Sequence, residues 1–168
     1  MNITLRHETP ADVGAIATLT AAAFLHAEHS SHTEQFIVNA LRAAGALTLS
    51  LVAERNGTPL GHASVSPVAL SNGAVGWFGL APVSVLPACQ NLGIGSRLIR
   101  RLLAELQERG AAGCVVLGEP SYYGRFGFQA QSALTLPGVP QDYFRAVAFQ
   151  GALPCAEVTF HNAFNAKA

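Results

Sequence analysis

Charge is scarce in this 168-residue chain: ten Lys and Arg stand against ten Asp and Glu, the charged fraction is 12%, and the formal net charge is zero. A protein that grips a nucleic-acid backbone needs surplus cations on one face to neutralise phosphates. One Lys and nine Arg, scattered among matching acids, argue against nucleic acid as a partner. Cysteine is sparse too. Cys89, Cys114 and Cys155 are odd in number and widely spaced, so they read as thiols in a reducing compartment and not as a disulfide framework. No uninterrupted apolar run approaches the ~18 residues of a membrane span. The stretch from Met1 to Arg6 lacks the basic, apolar and small-residue order of a secretory signal. A cytoplasmic protein with no membrane partner is expected.

What the chain does hold is core. With 50% hydrophobic residues and a mean hydropathy of +0.31, it lies far from the composition of disordered chains. Its length suits one domain over residues 1–168.

The periodicity predicts a mixed α/β fold. A short strand from Ile3 to His7 precedes Thr9-Pro10-Ala11-Asp12, a helix-start signal. Helical spacing of Val13, Ile16, Leu19 and Phe24 predicts a helix over 11–25, and a second helical pattern ends near Gly45. Strands are expected over 47–53, 60–70 and 75–86. Asn56-Gly57 and Asn72-Gly73 separate them, so the three should form an antiparallel meander. An amphipathic helix then carries Leu98, Ile99, Leu102 and Leu106 on one side and stops at Gly110. The apolar run Cys114 to Leu117 follows at the distance of a βαβ crossover and should be a buried parallel strand. A short helix is expected over 120–127, with 128–136 and 155–160 completing the sheet. Residues 137–154 carry no clear pattern.

The chemistry concentrates between Pro82 and Ser96. There a strand enters a loop with Gly93 and Gly95 and then a helix N-terminus, whose unpaired N–H groups and dipole favour an anion such as phosphate. A tight turn that merely needs small residues is the competing reading. A P-loop would require Lys after the second Gly, and Ser96-Arg97 stands there instead. The dinucleotide fingerprint wants a third small residue where Leu98 sits, although Glu119 lies roughly where a ribose-binding acid belongs. Pro82 and Pro87 mark places where strand pairing ends. The backbone groups of Val83 and Val85 are then free to receive an extended amide-bearing arm such as pantetheine.

Gln90-x-x-Gly93-x-Gly95 after Val83-x-Val85, the Arg- and Leu-rich helix, the short apolar strand and then Tyr122-Tyr123-Gly124-Arg125-Phe126-Gly127-Phe128 resemble the GCN5-related N-acetyltransferase (GNAT) superfamily. The run from Val116 to Phe128 is similar to its YhbS-like predicted acetyltransferases. The resemblance implies the acyl-CoA N-acyltransferase fold, with a meander followed by a βαβ crossover whose strands splay. It implies acetyl-CoA as acyl donor and a primary amine of a small molecule or protein as acceptor. Val83, Ser84 and Val85 would hold pantetheine and thioester, and Gln90, Asn91, Leu92, Gly93, Ile94, Gly95 and Ser96 would wrap the pyrophosphate. Tyr123 would protonate the departing thiolate. Some members carry a glutamate on the strand before the loop, and its counterpart here is Gly79. Glu119 and His62 are therefore the candidates for a base acting through water.

His26, Glu28, His29 and His32 have spacings that suit a metal, but the helical pattern lapses there and no metal is expected. Two rival functions stay open: a non-catalytic acyl-CoA-binding regulatory module, supported by Gly79, and a dinucleotide-binding oxidoreductase. A homodimer would follow if the last strand pairs with a second copy.

Overall fold

The computed structural model describes residues 2–28 and 30–168. In chain order it contains β1 (Thr4–His7), a 3-10 turn at Pro10–Asp12, α1 (Val13–Phe24), α2 (Glu34–Ala43), β2 (Leu49–Arg55) and β3 (Thr58–Pro67). Then come β4 (Ala69–Leu70), β5 (Trp77–Val85), α3 (Ile94–Glu108), β6 (Gly113–Leu117) and α4 (Pro120–Gly124). β7 (Leu134–Thr135), β8 (Phe144–Ala148) and β9 (Ala156–Thr159) complete it. The chain packs as two compact units. The first comprises the chain up to Val65, Ala81–Leu102 and Asn162–Ala168; the second comprises Ser66–Leu80 and Leu103–His161.

In the first unit β1, β2, β3 and the second half of β5 are neighbours in that order. Asn56 and Gly57, at φ 52° and 81°, make the tight turn that joins β2 to β3 in antiparallel register. β2 is buried from Leu49 to Ala53, which is why it shows little polar alternation. Ile16 of α1 and Val38 of α2 pack on Val52. The entry to α1 is pinned electrostatically. Arg6 donates to both carboxylate oxygens of Asp12 at 2.7 and 2.9 Å and to Glu54 at 3.0 Å, while the Thr9 amide donates to Asp12 at 2.7 Å. The hydrogen bonds from Arg6 hold the Asp12 carboxyl well below the usual carboxylate range.

The predicted face of α3 is the buried one: Leu98, Ile99, Leu102 and Leu106 are all inaccessible. Each such side chain contributes roughly 1.5–3 kcal/mol through removal from water.

In the second unit β6 pairs in parallel with the first half of β5 and antiparallel with β8. The sheet is therefore mixed, as its sequence pattern implied. The parallel register covers Trp77–Gly113, Phe78–Cys114 and Gly79–Val115 and stops there, whereas β6 keeps pairing with β8 to Leu117–Phe144. Three expectations need correction. The strand expected over 60–70 is interrupted: the Val68 amide donates to Trp77, and β4 then leaves to pair with β9. The strand expected over 155–160 forms, but in a separate three-stranded sheet ordered β4-β9-β7. The stretch 128–136 contributes only β7 and one bridge from Gln129 to Ala146, and the sheet is completed instead by β8, from the segment without a clear pattern. Val68, Trp77, Val115, Leu134, Phe144 and Val158 form the core between the two sheets of this unit.

Candidate active site

After β5 the chain makes a 3-10 turn at Pro87–Cys89, which buries Cys89, and enters the loop that leads to α3. Asn91 and Gly93 both take positive φ, 63° and 84°, so the backbone reverses sharply before Ile94 opens the helix. The Gln90 amide reaches back to the Val85 carbonyl at 3.1 Å and ties the loop to the strand end. Amides of the first helical turn have no partner within the helix, and the dipole adds partial positive charge there. Gly61 of β3 sets how closely this helix end can approach the sheet. A Cβ at that position would lie 3.0 Å from Ile94 Cγ2, 3.2 Å from Leu98 Cδ1 and 3.3 Å from the Ser84 carbonyl oxygen. The loop side chains contribute little of this: Leu92 is exposed and Ile94 faces the core.

In the second unit, Pro120 at the first turn of α4 follows Glu119, whose carbonyl accepts from the Tyr123 amide at 3.1 Å. The Tyr123 ring lies directly on Gly118, where a Cβ would collide with it. It meets Phe128 and Tyr122 edge to face, with centroids 6.1 and 5.0 Å apart. Burial, with a smaller push from Tyr122, raises the Tyr123 hydroxyl to about 12. It is therefore protonated throughout the neutral range and is available as an acid.

The two base candidates sit in contrasting surroundings. Glu119 is exposed, and its carboxylate accepts from the Ser121 hydroxyl at 3.3 Å. His62 is fully buried on β3, its Nε2 2.7 Å from Ser50 Oγ. Burial pushes its ring down to about 4, opposed by the Glu8 and Asp12 charges and assisted by Arg42, so the ring is neutral near pH 7. Gly79 has no room for a side chain, because the Phe160 ring fills the place. Among the histidines of the loop before α2, His32 bonds through Nδ1 to the Phe24 carbonyl at 2.9 Å, and His29 lies outside the described residues. No group of three or more His, Cys, Asp or Glu suited to a metal occurs among the described residues.

Residues 14–128 match the acetyltransferase (GNAT) family. The chain belongs to the GNAT family. It is 36% identical over 126 residues to the uncharacterized N-acetyltransferase YhbS of Escherichia coli strain K12, covering 74% of this chain and 72% of that protein. A GNAT family acetyltransferase from Brucella melitensis, solved in complex with acetyl-CoA, superposes with a TM-score of 0.88 at 48% identity over 97% of this chain and 98% of that one. YhbS from Escherichia coli, solved with CoA, gives 0.87 at 31% identity over 98% and 93%.

Several contacts near the Gln90–Ser96 loop, Tyr123 and Gly79 escape a reading of the sequence. The contacts of Gly61 with α3, of Gly118 with Tyr123 and of Gly79 with Phe160 join residues distant in sequence or depend on exact packing. One signal was available. His62, Ser64 and Ser66 put a polar group at every second position of β3, the pattern of a solvated strand face, yet all three are buried.

Proposed function

We propose that this chain is an acetyl-CoA-dependent N-acetyltransferase acting on a primary amine. The observation that carries the reading is the Gln90–Ser96 turn, built from positive-φ backbone and a helix N-terminus, in a chain 48% identical to a relative solved with acetyl-CoA. Acetyl-CoA would supply an activated thioester acyl group. Val83, Ser84 and Val85 would bind its extended arm by strand addition, and Gln90, Asn91, Leu92, Gly93, Ile94, Gly95 and Ser96 would hold the pyrophosphate mostly through backbone amides. Tyr123 would hold a proton at its hydroxyl for the departing sulfur. A base acting through water would receive the proton of the acceptor nitrogen. The buried neutral His62 is favoured for this over Glu119, which is exposed and bonded to Ser121.

The scarcity of acidic residues favours a small amine or a single protein N-terminus over a polycation. No helix among the described residues is long and apolar enough to cross a membrane, which is consistent with the cytoplasmic location inferred from composition.

Calorimetric titration with acetyl-CoA, CoA and NADH, followed by thiol release against a panel of amines, tests the proposal. Acetyl-CoA binding with thiol release on at least one amine is expected. Binding without release on any amine would favour the regulatory module that Gly79 suggests, and preference for NADH would overturn the donor assignment.

A further inference from the structure

Four polar side chains cross the sheet of the first unit, passing from strand to strand. Glu8, just beyond β1, donates its amide to the Ser50 carbonyl at 2.9 Å. Ser50 on β2 stands diagonal to His62 on β3, because Ser50 pairs with Ser64 and Val52 with His62. The Leu86 amide donates to the Leu60 carbonyl at 2.9 Å, and this register sets His62 opposite Ser84 on β5. Residues directly opposite share a face of the sheet.

The hydrogens along this row can be assigned by counting donors. Arg42 donates to the two Glu8 oxygens from Nε at 2.7 Å and Nη2 at 3.0 Å. Burial pushes the Glu8 carboxyl up, but the hydrogen bonds from Arg42 and Ser50 outweigh it and leave Glu8 below its ordinary value. Glu8 is then an acceptor only, so the single Ser50 hydroxyl hydrogen goes to Glu8 Oε1. The bond between Ser50 and His62 must therefore be donated by Nε2–H of the ring. A neutral ring with hydrogen on Nε2 carries a bare lone pair on Nδ1. Nδ1 of His62 and Oγ of Ser84 are both buried with no hydrogen-bond partner among the described residues. Two orphaned polar groups on opposed positions are the arrangement that one bridging water satisfies.

At its other end the row reaches an opening. Glu8 and Ser50 line a cleft of about 270 Å³ whose walls include His7, Arg42 and Thr48. We propose that Ser84, His62, Ser50 and Glu8 form a proton path from the buried side of β5 to this cleft. The inference rests on the acetyltransferase reading, in which each amide formed releases one proton from the acceptor nitrogen. One proton reaches Nδ1 by way of Ser84 and water, the Nε2 proton passes to Ser50, the Ser50 proton passes to Glu8, and Glu8 yields it to the cleft. One proton enters and one leaves. The row is left with its hydrogens turned round and resets by rotation of the Ser50 hydroxyl and exchange of the ring proton. The charged groups around the ring are Glu8 beside β1, Arg42 from α2 and Asp12 ahead of α1. Their opposing effects and the burial keep the ring neutral at rest, so it carries the proton only in passing.

Nitrogen-15 NMR of the wild-type imidazoles near neutral pH reads the first half of the proposal without any acceptor. The hydrogen of His62 is expected on Nε2, and an Nδ1–H ring would overturn the path. The second half uses thiol release with an amine that the wild type accepts. Ser50→Ala is expected to lower kcat by about tenfold or more with the acetyl-CoA KM unchanged, and Ser50→Thr to restore most of it. Glu8→Gln, which keeps the shape and guards against a misfolded Ser50→Ala, is expected to lose a comparable factor and to regain rate with formate as an external proton acceptor. Full kcat with an unaltered pH profile in a folded Ser50→Ala or Glu8→Gln protein would overturn the path. If the wild type releases no thiol with any amine, the acetyltransferase reading fails by itself, and the ring tautomer alone decides whether the row is built as described.

Discussion

The ring of Phe160, just past β9, lies where any side chain at Gly79 of β5 would have to go. The same placement packs the residue that follows β9, the central strand of the β4-β9-β7 sheet, directly on β5. Gly79→Ala should destabilise the protein by about 1–3 kcal/mol through overpacking. In a Phe160→Leu background the same change should cost much less, because the shorter side chain leaves room. Urea unfolding of the four proteins of this double-mutant cycle measures the coupling, and additive effects would contradict the contact.

Tyr123→Phe keeps the ring on Gly118 and removes only the hydroxyl. Thiol release should fall by about two orders of magnitude while calorimetric affinity for acetyl-CoA stays within a factor of about two. Unchanged turnover across the pH range would remove the tyrosine from the chemistry.

Gly61→Ala presses a methyl group on Ile94 and Leu98, the first turns of the helix that faces the proposed pyrophosphate. Acetyl-CoA affinity should weaken several-fold with a modest fall in Tm. A loss of Tm with full affinity would show that the helix end is not held by this contact.

Stability should fall on mild acidification, and His62 sets the window. Its folded value of about 4 lies below the ordinary 6.5, so the unfolded chain binds more protons between those limits. The contribution is intact above pH 6.5, is lost progressively toward pH 4, and amounts to roughly 3 kcal/mol at most. The lowered Glu8 carboxyl acts in the same direction, but only below 4.5. Unfolding free energies at a series of pH values should slope for the wild type and flatten for His62→Phe, whereas parallel slopes would acquit the histidine.

Much of this architecture is legible because its determinants are local. The tight turn at Asn56-Gly57 needs two positive φ values that these residues readily adopt, and the buried stripe of α3 repeats at helical period from Ile94 to Leu106. The Gln90–Ser96 turn is legible for the same reason. β8 was not, because Phe-Arg-Ala-Val-Ala is short, lies among Pro137, Pro140 and Pro154, and forms through pairing with β6. The break before β4 is signalled by Pro67, which has no amide to give to the ladder and ends β3, but no local pattern tells that Ala69–Leu70 then pairs with the distant β9. The row from Glu8 to His62 joins residues 42 and 12 positions apart, and spacing of that kind carries no periodic signal.

The placement of the last segments bears on the order in which the protein can be completed during synthesis. In the second unit β6 obtains its antiparallel partner from Phe144–Ala148, and Gly79 its covering ring from Phe160. In the first unit Ala163 and Phe164 close the cluster of Ile37, Leu41 and Ala46. Neither unit has its full complement of contacts until residues 144–164 have left the ribosome, so folding should finish after translation of this region. A chain cut before Phe144 should then be cleared as an unfinished product even though every residue assigned here to the donor and to proton transfer is already present.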